Sequence, residues 1–200
     1  MDKSYFTRKE QIILSTIELI DEVGIGGMSI QKLAKKEGIT EGALYRHFKS
    51  KNEIIIEAIL YYSHFDMNII NTINKNKLSS KESIVFLLTS FSEYYENYPE
   101  ITAIVCSFQS LIYEPDIAKE VFLLETRKFD FLMSIIEKGK QSGEFNEWIN
   151  SEDLANIIIG SFKHLVFKWR IKKYEFPLKI KTLDMLDIIF KCAILSTEKR

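Results

Sequence analysis

Between Met28 and Glu53 the chain reads MSIQKLAKKEGITEGALYRHFKSKNE. The start and stop signals packed into it leave room for little except short helices joined by a tight turn. Ser29 is a natural N-cap, its hydroxyl able to accept from an orphan amide of the first turn. Met28 and Leu33 stand where a hydrophobic staple would pin the entering chain. Ile30, Leu33 and Ala34 fall on one face, and Gln31, Lys32, Lys35 and Lys36 on the other. Gly38 supplies the left-handed residue that closes a helix near Glu37. After Gly-Ile-Thr a further short helix is expected over about 41–48, and Ser-Lys-Asn-Glu at 50–53 is a capping box that starts another. Helix, three-residue turn, helix, with the small Ala34 where the two must cross, is the arrangement of a helix-turn-helix.

The rest of the chain follows the same period. No alternating strand pattern persists, and the 200 residues hold only three prolines and eight glycines. A first helix is expected over about 6–23, with Ile13, Ile17 and Ile20 as its stripe and Gly24 to Gly27 stopping it. The helix from Ser50 is expected to run to about 73. Others follow at about 80–97, 100–113, 116–141, 151–173 and 179–197, separated by NYPE, YEPD and QSGEF. The fold class is therefore all-α, with about nine helices. Residues 1–48 form a small N-terminal head, and 49–200 a larger helical domain reached through the fourth helix.

Composition narrows the function only by exclusion. With net charge −1, overall charge points to no nucleic acid or membrane, so any such signal must be local. Cys106 and Cys192 are far apart and in no metal spacing, which predicts two buried thiols in a reducing compartment and neither disulfide framework nor zinc site. The beginning MDKSYFTRKEQ lacks the apolar region of a signal peptide. The apolar stretch 156–169 is broken by Lys163, His164 and Lys168, so no segment is expected to span a membrane. A soluble, cytoplasmic protein is expected. His47, His64 and His164 show no metal spacing, and no G-x-S-x-G, P-loop or dinucleotide fingerprint occurs. No catalytic residue, metal site or cofactor is expected.

The local signal lies in the short helix 41–48. On its wheel Leu44 and Phe48 make a buried seam, with Gly42 and Arg46 opposite, Ala43 beside them, and Tyr45 and His47 on the shoulders. A ridge of small residues plus arginine suits a helix lying in a major groove. There the backbone can approach base edges, Arg46 can reach a guanine or a phosphate, and the shoulders can meet the phosphate walls. The plainer alternative is that Tyr45 packs on its own domain and His47 is merely solvated. Charge favours the first reading. Lys32, Lys35, Lys36, Arg46, Lys49 and Lys51 stand against only Glu37 and Glu41 in 29–51. Lys51 sits where a helix dipole disfavours a cation, an objection that a docked phosphate would reverse; a tolerated surface lysine is the alternative.

The segment 28–59, with its cadence GxxxMSIxxLAKxxGITxGALYxHFxSK, resembles the DNA-binding region of the tetracycline-repressor (TetR) family of bacterial regulators. The resemblance covers roughly 55–60 residues and includes Gly38, Thr40, Gly42, Leu44, Tyr45, His47, Phe48 and Lys51. It implies that Ser29, Thr40, Tyr45, His47 and Lys51 hold phosphates, and that Glu41, Gly42, Ala43 and Arg46 face bases. Arg46 stands where the family often has a tyrosine or tryptophan, so base and phosphate both remain open for it. Glu41 can accept from a cytosine amine or pair with a neighbouring lysine, and the second is favoured.

The resemblance also implies a homodimer on a palindromic double-stranded operator, formed through the last two long helices. Leu154, Ile158, Gly160 and Leu165 with Leu183, Leu186 and Phe190 are the candidates for that interface, and packing within one protomer is the alternative for them. It implies a small-molecule effector among the middle helices. Tyr62, Phe65, Phe91, Cys106, Phe108, Phe129, Met133 and Phe162 are candidate lining residues, and their aromatic character suits a flat or lipid-like ligand, although aromatics at helical spacing are often plain core. The implied function is a sequence-specific transcriptional regulator, a repressor released by such an effector. The alternatives are an effector-independent DNA-binding factor of the nucleoid or division type, and a helical interaction module that no longer binds DNA.

Overall fold

The computed structural model describes residues 5–193; the end expected for the last helix, near 197, lies outside them. Among the described residues there is no strand, and the helices are α1 (Arg8–Gly27), α2 (Ile30–Glu37), α3 (Glu41–Leu44), α4 (Lys51–Asn76), α5 (Ser80–Asn97), α6 (Ile101–Leu111), α7 (Pro115–Gln141), α8 (Ser151–Ile171) and α9 (Leu178–Ala193). The all-α expectation holds. Two boundaries differ for local reasons. Gly24 does leave the helical region (φ +71°), but the turn resumes at once and α1 runs on to Gly27. The segment expected as a helix over 41–48 is one helical turn, continued by the amides of His47 and Phe48 donating to the Leu44 carbonyl at 2.9 and 3.1 Å.

Contacts divide the chain into two compact units, Met1–Phe65 with Tyr98–Leu124, and Asp66–Asn97 with Glu125–Arg200. This grouping cuts α4 in its middle and places α6 with the head helices, whereas the sequence suggested a break between 48 and 49.

In the first unit α1 begins at a capping box. The Thr7 amide and hydroxyl both donate to the Glu10 carboxylate at 2.8 Å. These bonds, the side-chain one foremost, hold the Glu10 carboxyl below its ordinary range. The apolar stripe Ile12, Ile13, Ile17 and Ile20 is buried, and α1 packs along α6 and against α2. Arg8 ties the start of α1 to the end of α2 through Glu37 at 2.8 Å. Cys106, on the side of α6 away from the buried Ile104, Phe108 and Leu111, is exposed, against the expected buried thiol.

In the second unit α9 packs against α5 and α8. The buried hydroxyls of Ser92 and Thr182 meet at 2.8 Å, so the α5–α9 crossing carries a satisfied polar pair. Glu144 accepts from the Ser80 and Lys81 amides at 3.1 and 3.0 Å, holding the loop after α7 against the first turn of α5. Gly139 is required there: a Cβ would stand 2.5 Å from Phe145 Cε2 and 2.9 Å from Ser80 Cβ. Phe145 is fully buried and stacks on Phe190 with ring centroids 6.1 Å apart. Cys192 is exposed as well, one position away from the buried Ala193.

Candidate nucleic-acid interface

The head is built from caps. Ser29 Oγ accepts from the Lys32 amide (3.3 Å) and opens α2. Gly38 (φ +64°) closes it, with the Ile39 amide returning to the Ala34 carbonyl at 3.0 Å. Thr40 Oγ1 accepts from the Ala43 amide (3.2 Å) and opens α3. Leu33, Leu44 and Phe48 are buried and fix the pair of helices from beneath. Lys9 rests over the Phe48 ring at 5.5 Å while pairing with Glu57 at 2.5 Å, so α1, Phe48 and α4 are joined.

On this foundation Glu41, Gly42, Tyr45, Arg46 and His47 are exposed and Ala43 is half-buried. Tyr45 leaves 52% of its surface open, so it is not spent on packing against its own domain. A Cβ built on Gly42 would meet only Thr40 Oγ1, at 3.9 Å. The protein's own packing gives no reason for a glycine there.

The charges separate into structural and available ones. Glu37 is held by Arg8. Lys36 bridges to Glu22 and Glu18 on α1 at 2.7 and 3.4 Å. Lys32, expected at the interface, donates its ammonium to the Gly27 carbonyl at 2.8 Å and so caps the end of α1. Glu41 forms no ion pair among the described residues, contrary to the favoured lysine pairing. Ser50 Oγ accepts from the Glu53 amide at 3.1 Å, as a capping box requires, but the Glu53 carboxylate reaches one residue further back, to the Lys49 amide at 2.5 Å. Lys51 stands half-buried on the first turn of α4.

The expected interface residues of α8 and α9 divide. Leu154, Ile158, Leu186 and Phe190 are buried within the chain, committed to its own core, and this corrects their assignment to an intermolecular surface. Leu165 is half-buried, and Leu183 and Gly160 are exposed, with nothing near an added Cβ on Gly160. Sequence reasoning found only Gly160 and Leu183 of the outer stripe. Ile157, Gly160, Phe167 and Ile171 recur along the exposed side of α8, and Ile180 and Ile188 are exposed on α9; Ile171 and Ile188 leave 64% and 65% of their surface open.

The candidate lining residues divide between the two units. Tyr62 and Phe108 are buried in the first unit with Phe65 half-buried, while Cys106 is exposed and faces no core. Phe91 and Phe162 are buried in the second unit, and Phe129 and Met133 half-buried. Tyr95, which the sequence reading did not single out, links Phe91 (6.0 Å) to Phe162 (6.2 Å, stacked). No helix among the described residues is long and apolar enough to cross a membrane, and no group of three or more His, Cys, Asp or Glu among them is placed to hold a metal.

Comparison with known proteins agrees with this geometry. Residues 12–58 match the pattern of the bacterial regulatory proteins of the tetR family, and residues 67–192 match that of the YsiA-like protein C-terminal region. The chain belongs to the TetR family. This TetR-family protein is a DNA-binding transcriptional regulator, and α2–α3 is its helix-turn-helix. It is 22% identical to the fatty acid metabolism regulator protein of Bacillus subtilis over 179 residues, 90% of this chain and 92% of that one. It is 28% identical to the nucleoid occlusion factor SlmA of Actinobacillus pleuropneumoniae over 171 residues, 82% of this chain and 83% of that one. Its fold is that of the transcriptional regulator FadR from Bacillus subtilis, solved in complex with stearoyl-CoA: TM-score 0.80 at 21% identity, covering 92% of this chain and 98% of FadR.

Proposed function

We propose that this regulator is a cytoplasmic homodimer that represses transcription by binding a palindromic operator, and that an apolar, lipid-like effector releases it. The exposed ridge of α3 carries the proposal: Gly42 bare by no internal need, Arg46 beside it, Tyr45 and His47 at the shoulders, all on a buried seam of Leu44 and Phe48. Ser29, Thr40, Tyr45, His47 and Lys51 grip phosphates, and Glu41, Gly42, Ala43 and Arg46 face base edges. Lys32 adds positive field while it caps α1. Residues 1–48 act as the reading head and 49–200 as the regulatory and dimerising part. The exposed stripes of α8 and α9, Gly160 and Leu183 included, supply the second protomer's contact, and half-sites then lie about 34–36 Å apart or a multiple of that.

The effector reading rests on the aromatic core of the second unit and on the similarity to FadR, which was solved with stearoyl-CoA. A long-chain acyl-CoA is therefore the first compound to try. The similarity to SlmA favours a second reading, in which the same head binds DNA without an effector. Gel shift on DNA upstream of the regulator's own gene, titrated with salt and then with stearoyl-CoA, separates the cases. Affinity should fall steeply as salt rises, because Lys and Arg contacts release counterions from phosphates. Affinity that stays flat with salt contradicts the phosphate grip. Steep salt dependence without any effect of acyl-CoA or other apolar compounds favours the second reading.

A further inference from the structure

The second unit holds a charge that its own packing leaves incomplete. Asp66 lies on α4 at helical spacing from the buried Ile69 and Ile73, in the stripe that faces the core. Only 2% of it is exposed, and neither carboxylate oxygen accepts a hydrogen bond of good geometry; the Lys128 contact is a long, weak one. Lys128 of α7 places its ammonium 3.4 Å from Asp66 Oδ2, near enough to balance charge but not to fill the oxygens' acceptor capacity. The same ammonium lies 5.3 Å from the centroid of Phe91, the first ring of the Phe91–Tyr95–Phe162 ladder. Burial pushes the Asp66 carboxyl up to about 6, and the Lys128 ammonium offsets this only in part. Buried acceptors in folded proteins are almost always satisfied, so these oxygens call for a further donor, a buried water or a ligand group.

We propose that Asp66 is the polar anchor of the effector site: an apolar effector bearing a hydroxyl donates that hydroxyl to the Asp66 carboxylate while its body lies along Phe91, Tyr95 and Phe162. The inference rests on the reading that an effector exists, and adds the chemistry of its polar end. A cationic head is disfavoured because Lys128 already stands at 3.4 Å, and a carboxylate head is repelled by Asp66. An ether offers no donor. A neutral hydroxyl meets the need without adding charge. Because the oxygens are closed to solvent, entry requires α4 and α7 to part locally around this pair.

Titration of the full-length protein with 1-dodecanol and with dodecyl methyl ether, followed by calorimetry, tests this. The alcohol should bind roughly tenfold or more tightly than the ether, the preference expected of one buried hydrogen bond to a charged acceptor. In Asp66→Asn that preference should shrink to about threefold or less, since the remaining acceptor is neutral, and Phe162→Leu should weaken both probes alike. Should Asp66→Asn not fold, a crystal structure of the wild-type protein with 1-dodecanol decides: the hydroxyl oxygen must lie within hydrogen-bond distance of the Asp66 carboxylate. Equal binding of alcohol and ether, or a hydroxyl seated elsewhere, overturns the anchor and leaves the effector reading standing. Binding of neither probe, nor of stearoyl-CoA, overturns both.

Discussion

The α3 ridge and the outer stripe of α8–α9 are both exposed, and neither serves the packing of its own unit, yet their chemistry is opposite. The ridge offers hydroxyl, imidazole and guanidinium groups around a bare glycine. The stripe offers Ile157, Phe167, Ile171, Ile180 and Ile188. A surface of donors and positive charge stays hydrated when unoccupied and suits a partner that is itself charged and wet. An apolar stripe costs free energy while it faces water and is relieved only by being covered. The contrast teaches that exposure alone does not name a partner; the solvent cost of leaving the surface uncovered does.

A core substitution sets the scale that both surfaces must fall below. Phe145→Ala should cost about 3–5 kcal/mol of stability, the range for truncating a fully buried aromatic, here one stacked on Phe190 beneath Gly139. Urea unfolding measures it. A loss under about 1 kcal/mol would mean that the junction of α5, α7 and α9 is looser than its contacts indicate.

The apolar stripe comes next. Ile171→Glu combined with Ile188→Glu should leave each protomer's helicity intact and shift the protein to monomer in sedimentation, with affinity for a palindromic operator reduced about 30-fold or more, the size expected for losing interface anchors. Unchanged dimerisation would break the comparison at its apolar end and return the interface to other surfaces.

The two regions were not equally legible in the sequence. The head was readable because its determinants are local: Ser29, Gly38, Thr40 and Ser50 each act within a few residues of themselves and cap or turn the chain as their types require, although the Glu53 half of the Ser50 capping box goes to the Lys49 amide instead. Lys32 was misjudged in part because its partner, the Gly27 carbonyl, depends on how α1 ends. For α8 and α9 periodicity shows apolar residues on more than one side of the helix, and nothing local marks which side faces inward. Leu154, Ile158, Leu186 and Phe190 were interface candidates through the family resemblance, with packing inside the protomer as the alternative, and their burial decides for the alternative. Asp66 carried a signal that was overlooked: an acid in register with Ile69 and Ile73 contradicts its own stripe, and such contradictions gather at functional sites.

Arg46→Ala sharpens the polar end. It should cost about 1–3 kcal/mol of operator affinity with no loss of thermal stability, because the side chain is exposed and buries nothing. Binding to a panel of operators with single base changes tells what it reads. If Arg46 contacts a base, the variant loses discrimination at one position of each half-site. If it contacts a phosphate, all sequences weaken together and the salt slope falls by about one.

Tyr45→Phe carries the smallest effect and the narrowest meaning. It removes one hydroxyl from a ring that is already half in solvent, so folding should be unaffected. A phosphate bond through that hydroxyl is worth about 0.5–1.5 kcal/mol, and its loss should weaken every operator in the panel by the same factor, without a new base preference. The phenol is uncharged, so the salt slope should stay where it was, unlike that of a phosphate-bound Arg46→Ala. Affinity identical to wild type would show that Tyr45 only shapes the ridge. A change confined to one base position would move Tyr45 from the wall of the groove to its floor, and the orientation of α3 would have to turn with it.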